Sequence, residues 1–205
     1  MAAAKKTSTE KNADSSIAVE TTRTRILDAS AELFREKGFR ATTVREIAEA
    51  VDLYSGSLFH YFKTKEDILM EILRTAFVSI CQRHESTLAS DLSPMDKLRR
   101  FIWQEIDLVF FDEEGDYHAV LYFVWREVTG ENLKELVALR KRYIASWKEV
   151  IRLCHEAGHL KGDQSVCVKI IEGTLRSMMN WYKPDGKYDP DEMAEQILRV
   201  IAVDR

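Results

Sequence analysis

The sequence predicts an all-α protein in two parts, a small N-terminal three-helix unit and a larger helical domain behind it. Three observations carry that expectation. Apolar residues recur at the i, i+3, i+4 spacing of a helix face, without the strict alternation of a half-buried strand. Most of the 8 Gly and 3 Pro among the 205 residues fall between those stretches, at Gly38, Pro94, Gly115, Gly130, Gly158, Gly162, Pro184, Gly186 and Pro190. Residues able to cap a helix stand directly before two of the apolar runs. With 45% apolar and 10% aromatic residues the chain can bury a core, and it is neither collagen-like nor wholly disordered.

Residues 1–20 are rich in Ala, Lys, Ser and Thr and are expected to form a disordered arm. Residues 23–37 put Ile26, Leu27, Leu33 and Phe34 on one face and stop at Gly38, a residue type that accepts the left-handed conformation after a helix end. Thr43 and Glu46 have capping-box spacing, so a short helix is expected there, with Val44, Ile47, Ala48 and Val51 as its apolar face. A third short helix is expected over residues 55–61, with Leu58, Phe59 and Phe62 pointing inward. Thr64-Lys65-Glu66-Asp67 then caps a long fourth helix. Its stripe of Ile68, Leu69, Ile72, Leu73, Ala76, Phe77 and Ile80 exceeds what a three-helix unit needs, so its far end should pack in a second core. Further helices are expected over residues 95–112, 116–128, 131–157, 164–182 and 190–203, with no internal repeat.

Two short helices joined by Val51-Asp52-Leu53-Tyr54 after a longer first helix have the arrangement of a DNA-binding helix-turn-helix. The second helix must be slim outside and apolar behind. Tyr54, Ser55, Gly56, Ser57 and His60 supply the outer positions. Charge agrees with a nucleic-acid contact at one end: residues 1–65 hold 11 Lys and Arg against 9 Asp and Glu, whereas the remainder holds 19 against 25.

Residues 22–69 closely resemble the DNA-binding domain of the TetR family of bacterial transcriptional regulators. The landmarks are Lys37-Gly38-Phe39, the stretch Thr42-Thr43-Val44-Arg45-Glu46-Ile47-Ala48, and Leu58-Phe59-His60-Tyr61-Phe62-Lys63-Thr64-Lys65-Glu66. The resemblance implies a DNA-binding domain over 21–66 and a ligand-binding and dimerisation domain over 67–205. Thr43 and the amides it caps would meet a phosphate, Tyr61 and Lys65 further phosphates, and Arg45 a guanine. Tyr54, Ser55, Ser57 and His60 would face the groove, with Gly56 permitting close approach. Two positions depart from the family: Asp52 stands where Gly is usual in the turn, and Ser55 where many members carry Lys. With no Lys or Arg from Tyr54 to Phe62, DNA shape is expected to aid recognition.

Family members are homodimers on a two-fold operator, so residues 164–182 and 191–203 are expected to form a four-helix dimer core. Val166, Ile170, Gly173, Thr174, Ser177, Met178 and Trp181 would contribute from the first segment, and Met193, Ile197, Val200 and Ile201 from the second. An intramolecular core is the alternative for both. Residues 98–147 are dense in aromatics, which fits either a core or a pocket for a small hydrophobic effector. Candidate pocket residues are Trp103, Phe110, Tyr122, Trp125, Arg126, Tyr143, Trp147, Arg176 and Asn180, with Glu105 and Arg140 as further polar groups beside these faces. Residues 180–186, Asn-Trp-Tyr-Lys-Pro-Asp-Gly, resemble a subgroup of TetR repressors that control fatty-acid or sterol breakdown and release DNA on binding acyl-coenzyme A thioesters. An aromatic drug or metabolite is the alternative effector.

His155-Glu156-Ala157-Gly158-His159 matches the zinc motif H-E-x-x-H, the remote alternative of a zinc metalloenzyme. Gly158 is expected to end the helix and separate the two imidazoles. No nucleophile–base set, phosphate loop or cofactor motif stands out, so neither an enzyme nor a cofactor is expected. The three widely spaced cysteines, Cys81, Cys154 and Cys167, give neither a disulfide framework nor a metal knuckle. The longest apolar run, residues 119–125, is far short of the ~20 residues of a membrane helix. A cytoplasmic protein is expected.

Overall fold

The computed structural model describes residues 8–112 and 115–202, with side chains from residue 20 onward. The described residues are helical throughout, apart from turns and one isolated β-bridge between Leu160 and Ala202.

Helix α1 spans Ser8–Lys37. Of the arm expected over residues 1–20, residues 1–7 lie outside the described residues and residues 8–20 are helical rather than disordered. Before Gly38 there is no Gly or Pro to stop a helix from propagating backward from its packed half. The end comes at Gly38, with φ +81° and its N–H bonded to the Phe34 carbonyl.

Helices α2 (Val44–Ala50) and α3 (Ser55–Leu58) are joined by the expected turn. Asp52 stands there at φ +58°, the conformation that Gly adopts more freely, and the Leu53 N–H returns to the Ala48 carbonyl at 2.8 Å. Helix α3 ends three residues before the expected limit. His60 N–H bonds to Ser57 O at 3.1 Å and Tyr61 N–H to Leu58 O at 2.9 Å, so the backbone tightens to i→i+3 bonding. Leu58 and Phe62 are buried, as expected of residues one turn apart. Phe59, about 100° round the helix from Leu58, is 52% exposed rather than inward.

Helix α4 (Lys65–Ala89) is the shared element. Its N-cap Thr64 and Asp67 form a capping box, and its stripe from Ile68 to Ile80 is buried along its length. It packs on α1 at one end and on α5 (Pro94–Phe110), α6 (Gly115–Phe123) and α7 (Asn132–Glu156) beyond. The expected segment 116–128 is therefore broken: α6 gives way to a separate 3-10 turn over Trp125–Glu127. Helix α8 (Gln164–Met178) lies on α7, and α9 (Pro190–Ile201) on α5. The buried residues form one cluster from Ile26 to Ile201, so the two parts meet through a continuous core. Among the described residues, no helix is long and apolar enough to cross a membrane.

Candidate nucleic-acid interface and effector cavity

The start of α2 is fixed by its own side chains. The Thr43 hydroxyl accepts from the Glu46 N–H at 3.2 Å, and the Glu46 carboxylate accepts from the Thr43 N–H at 2.8 Å. Lys37 bonds the other carboxylate oxygen at 3.0 Å. The Thr43 backbone N–H, followed by Lys37, holds the Glu46 carboxyl down at about 2. Arg45 is exposed and pairs with Glu49, one turn along, at 2.8 Å. Arg45, Glu49, Asp52, Leu53, Tyr54 and Ser55 line a surface groove of ≈ 580 Å³, which joins the first turn of α2 to the start of α3. Tyr54 is 87% exposed at the N-cap of α3; Gly56 and His60 are exposed, and Ser57 is half-buried. A Cβ on Gly56 would meet nothing within 4 Å, so this face is open.

Tyr61 and Lys65 are more engaged than the sequence suggests. The Tyr61 carbonyl accepts from Arg23 at 2.9 Å, and Arg23 also pairs with Glu71 and lies over the Phe62 ring. The Lys65 ammonium donates to the carbonyls of Phe39 at 2.6 Å and Thr42 at 2.5 Å and sits 4.3 Å from the Phe39 ring centre. Burial holds its pKa below the ordinary lysine value. Lys65 thus ties α4 to the α1–α2 loop and keeps one N–H for any phosphate. Thr42, which drew no separate role from the sequence, is fully buried and bonds the Gly38 carbonyl at 3.0 Å.

In the larger domain, Phe77, Glu105, Leu121, Tyr122, Trp125, Arg140, Tyr143, Glu172 and Arg176 surround a cavity with about 40 Å³ of space. Of the nine candidates, Tyr122, Trp125, Tyr143 and Arg176 are brought together there. Trp147 stands just behind, its indole N–H 3.3 Å from Glu105. Four others lie outside the lining. Trp103 sits beneath Arg100, Phe110 packs on Tyr182 at 4.8 Å, Arg126 lies on the Trp125 ring, and exposed Asn180 bonds the Ser177 carbonyl. The helical period sends Trp103 and Phe110 to faces of α5 other than the one that carries Glu105. Phe77, Leu121 and Glu172 were missed because each is distant in sequence from the aromatic-rich stretch or ordinary within it.

Glu105 is the polar centre of the cavity. Its carboxyl accepts from the Tyr122 and Tyr143 hydroxyls, each at 2.7 Å. Burial pushes its pKa up, against the pull of those tyrosines and Trp147. Buried His84 bonds Ser146 through Nδ1 at 2.8 Å, stacks on Phe101, and brings Nε2 to 3.7 Å from Glu105. Desolvation lowers its pKa to about 3, so it is neutral.

The cavity wall runs directly into the contacts that hold the N-terminal unit. Trp125 lines the cavity, with Arg140 over its ring at 4.7 Å. Two residues on, Glu127 pairs with Arg40 at 2.7 Å, and the Thr129 N–H bonds Glu66 at 2.9 Å. Tyr117 of α6 also donates to Asp28 of α1 at 2.8 Å.

On the opposite side, Val166, Ile170, Gly173, Ser177 and Trp181 are exposed along α8 and just beyond, and Val200 is exposed on α9. Met178, Met193, Ile197 and Ile201, expected in the same face, are buried in the chain's own core instead. For α9 the reason is its packing on α5, which consumes its apolar stripe. The zinc reading fails on backbone geometry. Helix α7 ends at Glu156, Gly158 turns to φ +71°, and the His159 N–H folds back to the Cys154 carbonyl at 2.9 Å, so the two histidines do not share a helix face.

Residues 26–72 match the family described as bacterial regulatory proteins, tetR family, and residues 91–203 match the tetracyclin repressor-like C-terminal domain. The HTH-type transcriptional repressor KstR2 of Rhodococcus jostii (strain RHA1) is 30% identical over 184 residues, 87% of this chain and 88% of that protein. The fatty acid metabolism regulator protein of Bacillus subtilis (strain 168) is 24% identical over 181 residues, 86% and 91% of the two chains. The crystal structure of AibR in complex with isovaleryl coenzyme A and operator DNA shares the fold, with a TM-score of 0.78 at 22% identity over 87% of this chain and 97% of that one.

Proposed function

The chain belongs to the TetR family of bacterial regulatory proteins, and from that premise we propose that it is a cytoplasmic repressor, released from its operator by an acyl-coenzyme A thioester. The observation that carries the ligand response is the segment 125–129, which walls the cavity at Trp125 and holds the DNA-binding unit through Glu127 and Thr129. A cavity of about 40 Å³ admits little more than water. An acyl chain must therefore displace part of the wall, and movement of Trp125 would disturb the Arg40 and Glu66 contacts. The aromatic lining suits the apolar chain, and Arg140 and Arg176 supply positive charge for an acidic head.

In this reading Thr43, Tyr61 and the spare N–H of Lys65 meet phosphates, while Arg45, Tyr54, Ser55, Ser57 and His60 face the groove. The homodimer forms through Val166, Ile170, Gly173, Ser177, Trp181 and Val200. Gly173 allows close approach of the partner helix. A compact aromatic drug or metabolite is the second reading, favoured by the rings of Phe77, Tyr122, Trp125 and Tyr143 around buried Glu105.

The test is a fluorescence anisotropy titration into labelled DNA from upstream of the chain's own gene, at two salt concentrations. Saturable, salt-sensitive binding that outcompetes unrelated DNA is expected, followed by release with long-chain or ring-derived acyl-coenzyme A. Release by aromatic compounds alone would replace the first effector class by the second.

A further inference from the structure

We propose that the phosphate-bearing head of a coenzyme A thioester lies in a basic groove on the outer face of α7, with Lys141 and Lys148 as its phosphate contacts. The inference rests on the acyl-coenzyme A reading of the effector and names the site of the head group within it.

A cavity of about 40 Å³ cannot hold the head as well as the acyl group, so the head needs a place outside it. A surface groove of about 400 Å³ adjoins the cavity, lined by Trp125, Val137, Arg140, Lys141, Ile144 and Lys148. Trp125 and Arg140 line both spaces, and the Arg140 guanidinium lies over the Trp125 ring at 4.7 Å. Parting of that pair would join cavity and groove. An acyl group that pushes Trp125 aside would then leave its thioester at the opening.

On α7, positions 137, 141, 144 and 148 recur at the spacing of one helix face. The charge on that face is one-sided. Arg140, Lys141 and Lys148 line the groove without an Asp or Glu, although residues 66–205 as a whole hold 25 acidic residues against 19 Lys and Arg. Among the described residues none of these three cations makes an ion pair, whereas Arg142 of the same helix is held by Glu85, and Arg152 by Glu149 and Glu156. Lys141 and Lys148 are exposed and stand seven residues, about 10 Å, apart along the helix. Coenzyme A carries its negative charge in two separate places, a diphosphate and a ribose 3′-phosphate, and two unneutralised cations at that spacing can meet both. Half-buried Ile144 between them, and Val137, 55% exposed one turn earlier, give the carbon arm of the thioester an apolar bed. That mixture, continuous with the cavity, favours a thioester head over a nucleic acid or an anionic membrane.

The experiment measures, by titration calorimetry, the binding of lauroyl-, palmitoyl- and cyclohexanecarbonyl-coenzyme A and of the corresponding S-acyl pantetheines, which keep the acyl group and the arm but lack every phosphate. A coenzyme A thioester should bind at least tenfold more tightly than its pantetheine counterpart, and that preference should shrink as salt rises. In Lys141→Gln/Lys148→Gln the preference should fall about tenfold, while affinity for the pantetheine thioester, and for DNA without effector, stays at the parent's value. Lys134→Gln, an exposed position of α7 outside the groove, should behave as the parent. Equal affinity of the unaltered protein for the two kinds of thioester would overturn the proposal, as would a double variant that keeps the parent's full preference. The first arm uses the unaltered protein, so it holds whatever the variant does to folding. If none of the three coenzyme A thioesters binds, the acyl-coenzyme A reading fails and this proposal with it, which separates the two failures.

Discussion

Lys65 shows how a residue that sequence reasoning assigns to DNA can be committed to the fold first. Its ammonium joins the carbonyls of Phe39 and Thr42, 26 and 23 residues away, and nothing local in the sequence marks either partner. Lys65→Met should lower unfolding stability by about 1 to 2 kcal/mol, because two carbonyls lose a charged donor. Urea denaturation tests this, and a variant as stable as the parent would show that the bonds contribute nothing. Buried His84, to which the sequence assigned no role, is likewise committed to the fold. With its pKa at about 3 in the fold, it binds fewer protons than in the unfolded chain between pH 3 and its ordinary value near 6.5. Its contribution is complete above pH 6.5 and declines as pH falls through that window. Glu105 opposes this in part, since its raised pKa favours proton uptake by the folded state. Relative to His84→Gln, the parent should lose about 2 kcal/mol of stability between pH 7 and pH 5, measured by denaturant midpoints at both values. Parallel pH profiles for the two proteins would sink the assignment.

At the scale of the element, short-range chemistry was legible and side-chain direction was not. The Thr43–Glu46 box, the Gly38 stop and the tolerance of Asp52 for the left-handed turn all follow from residues within four positions of one another. Thr43→Ala should therefore cost about 1 kcal/mol, visible as a lower thermal midpoint, and it should also weaken DNA binding. An unchanged midpoint would mean that the cap is redundant. The end of α3 and the exposure of Phe59 depended instead on how the chain leaves the helix to reach Thr64. The division of residues 116–128 into α6 and a 3-10 turn likewise answers to packing on α4 and α1. Between cavity and DNA-binding unit, the contacts of Arg40 and Glu66 form the link. In the double variant Arg40→Ala/Glu66→Ala, the ratio of DNA affinities without and with an effector should fall severalfold from that of the parent. An unchanged ratio would exclude this route.

For the whole molecule, the apolar side chains exposed on α8 and α9 matter most, Val166 and Ile170 on the first and Val200 on the second. Ile170→Glu should leave the fold intact, shift the protein to monomer in sedimentation equilibrium and reduce operator affinity by at least tenfold, since one half-site alone is then held. A dimer that survives the substitution would move the interface elsewhere. By itself the sequence determined the all-α class, the helix-turn-helix and its caps, and the family, because these rest on periodicity and on residues a few positions apart. Only the tertiary structure decided which aromatics enclose the cavity, that Met193, Ile197 and Ile201 serve the chain's own core, and that Trp125 and Glu127 bridge cavity and DNA-binding unit. Those depend on which of several apolar faces each helix turns to a neighbour, and periodicity supplies the faces without naming the neighbour.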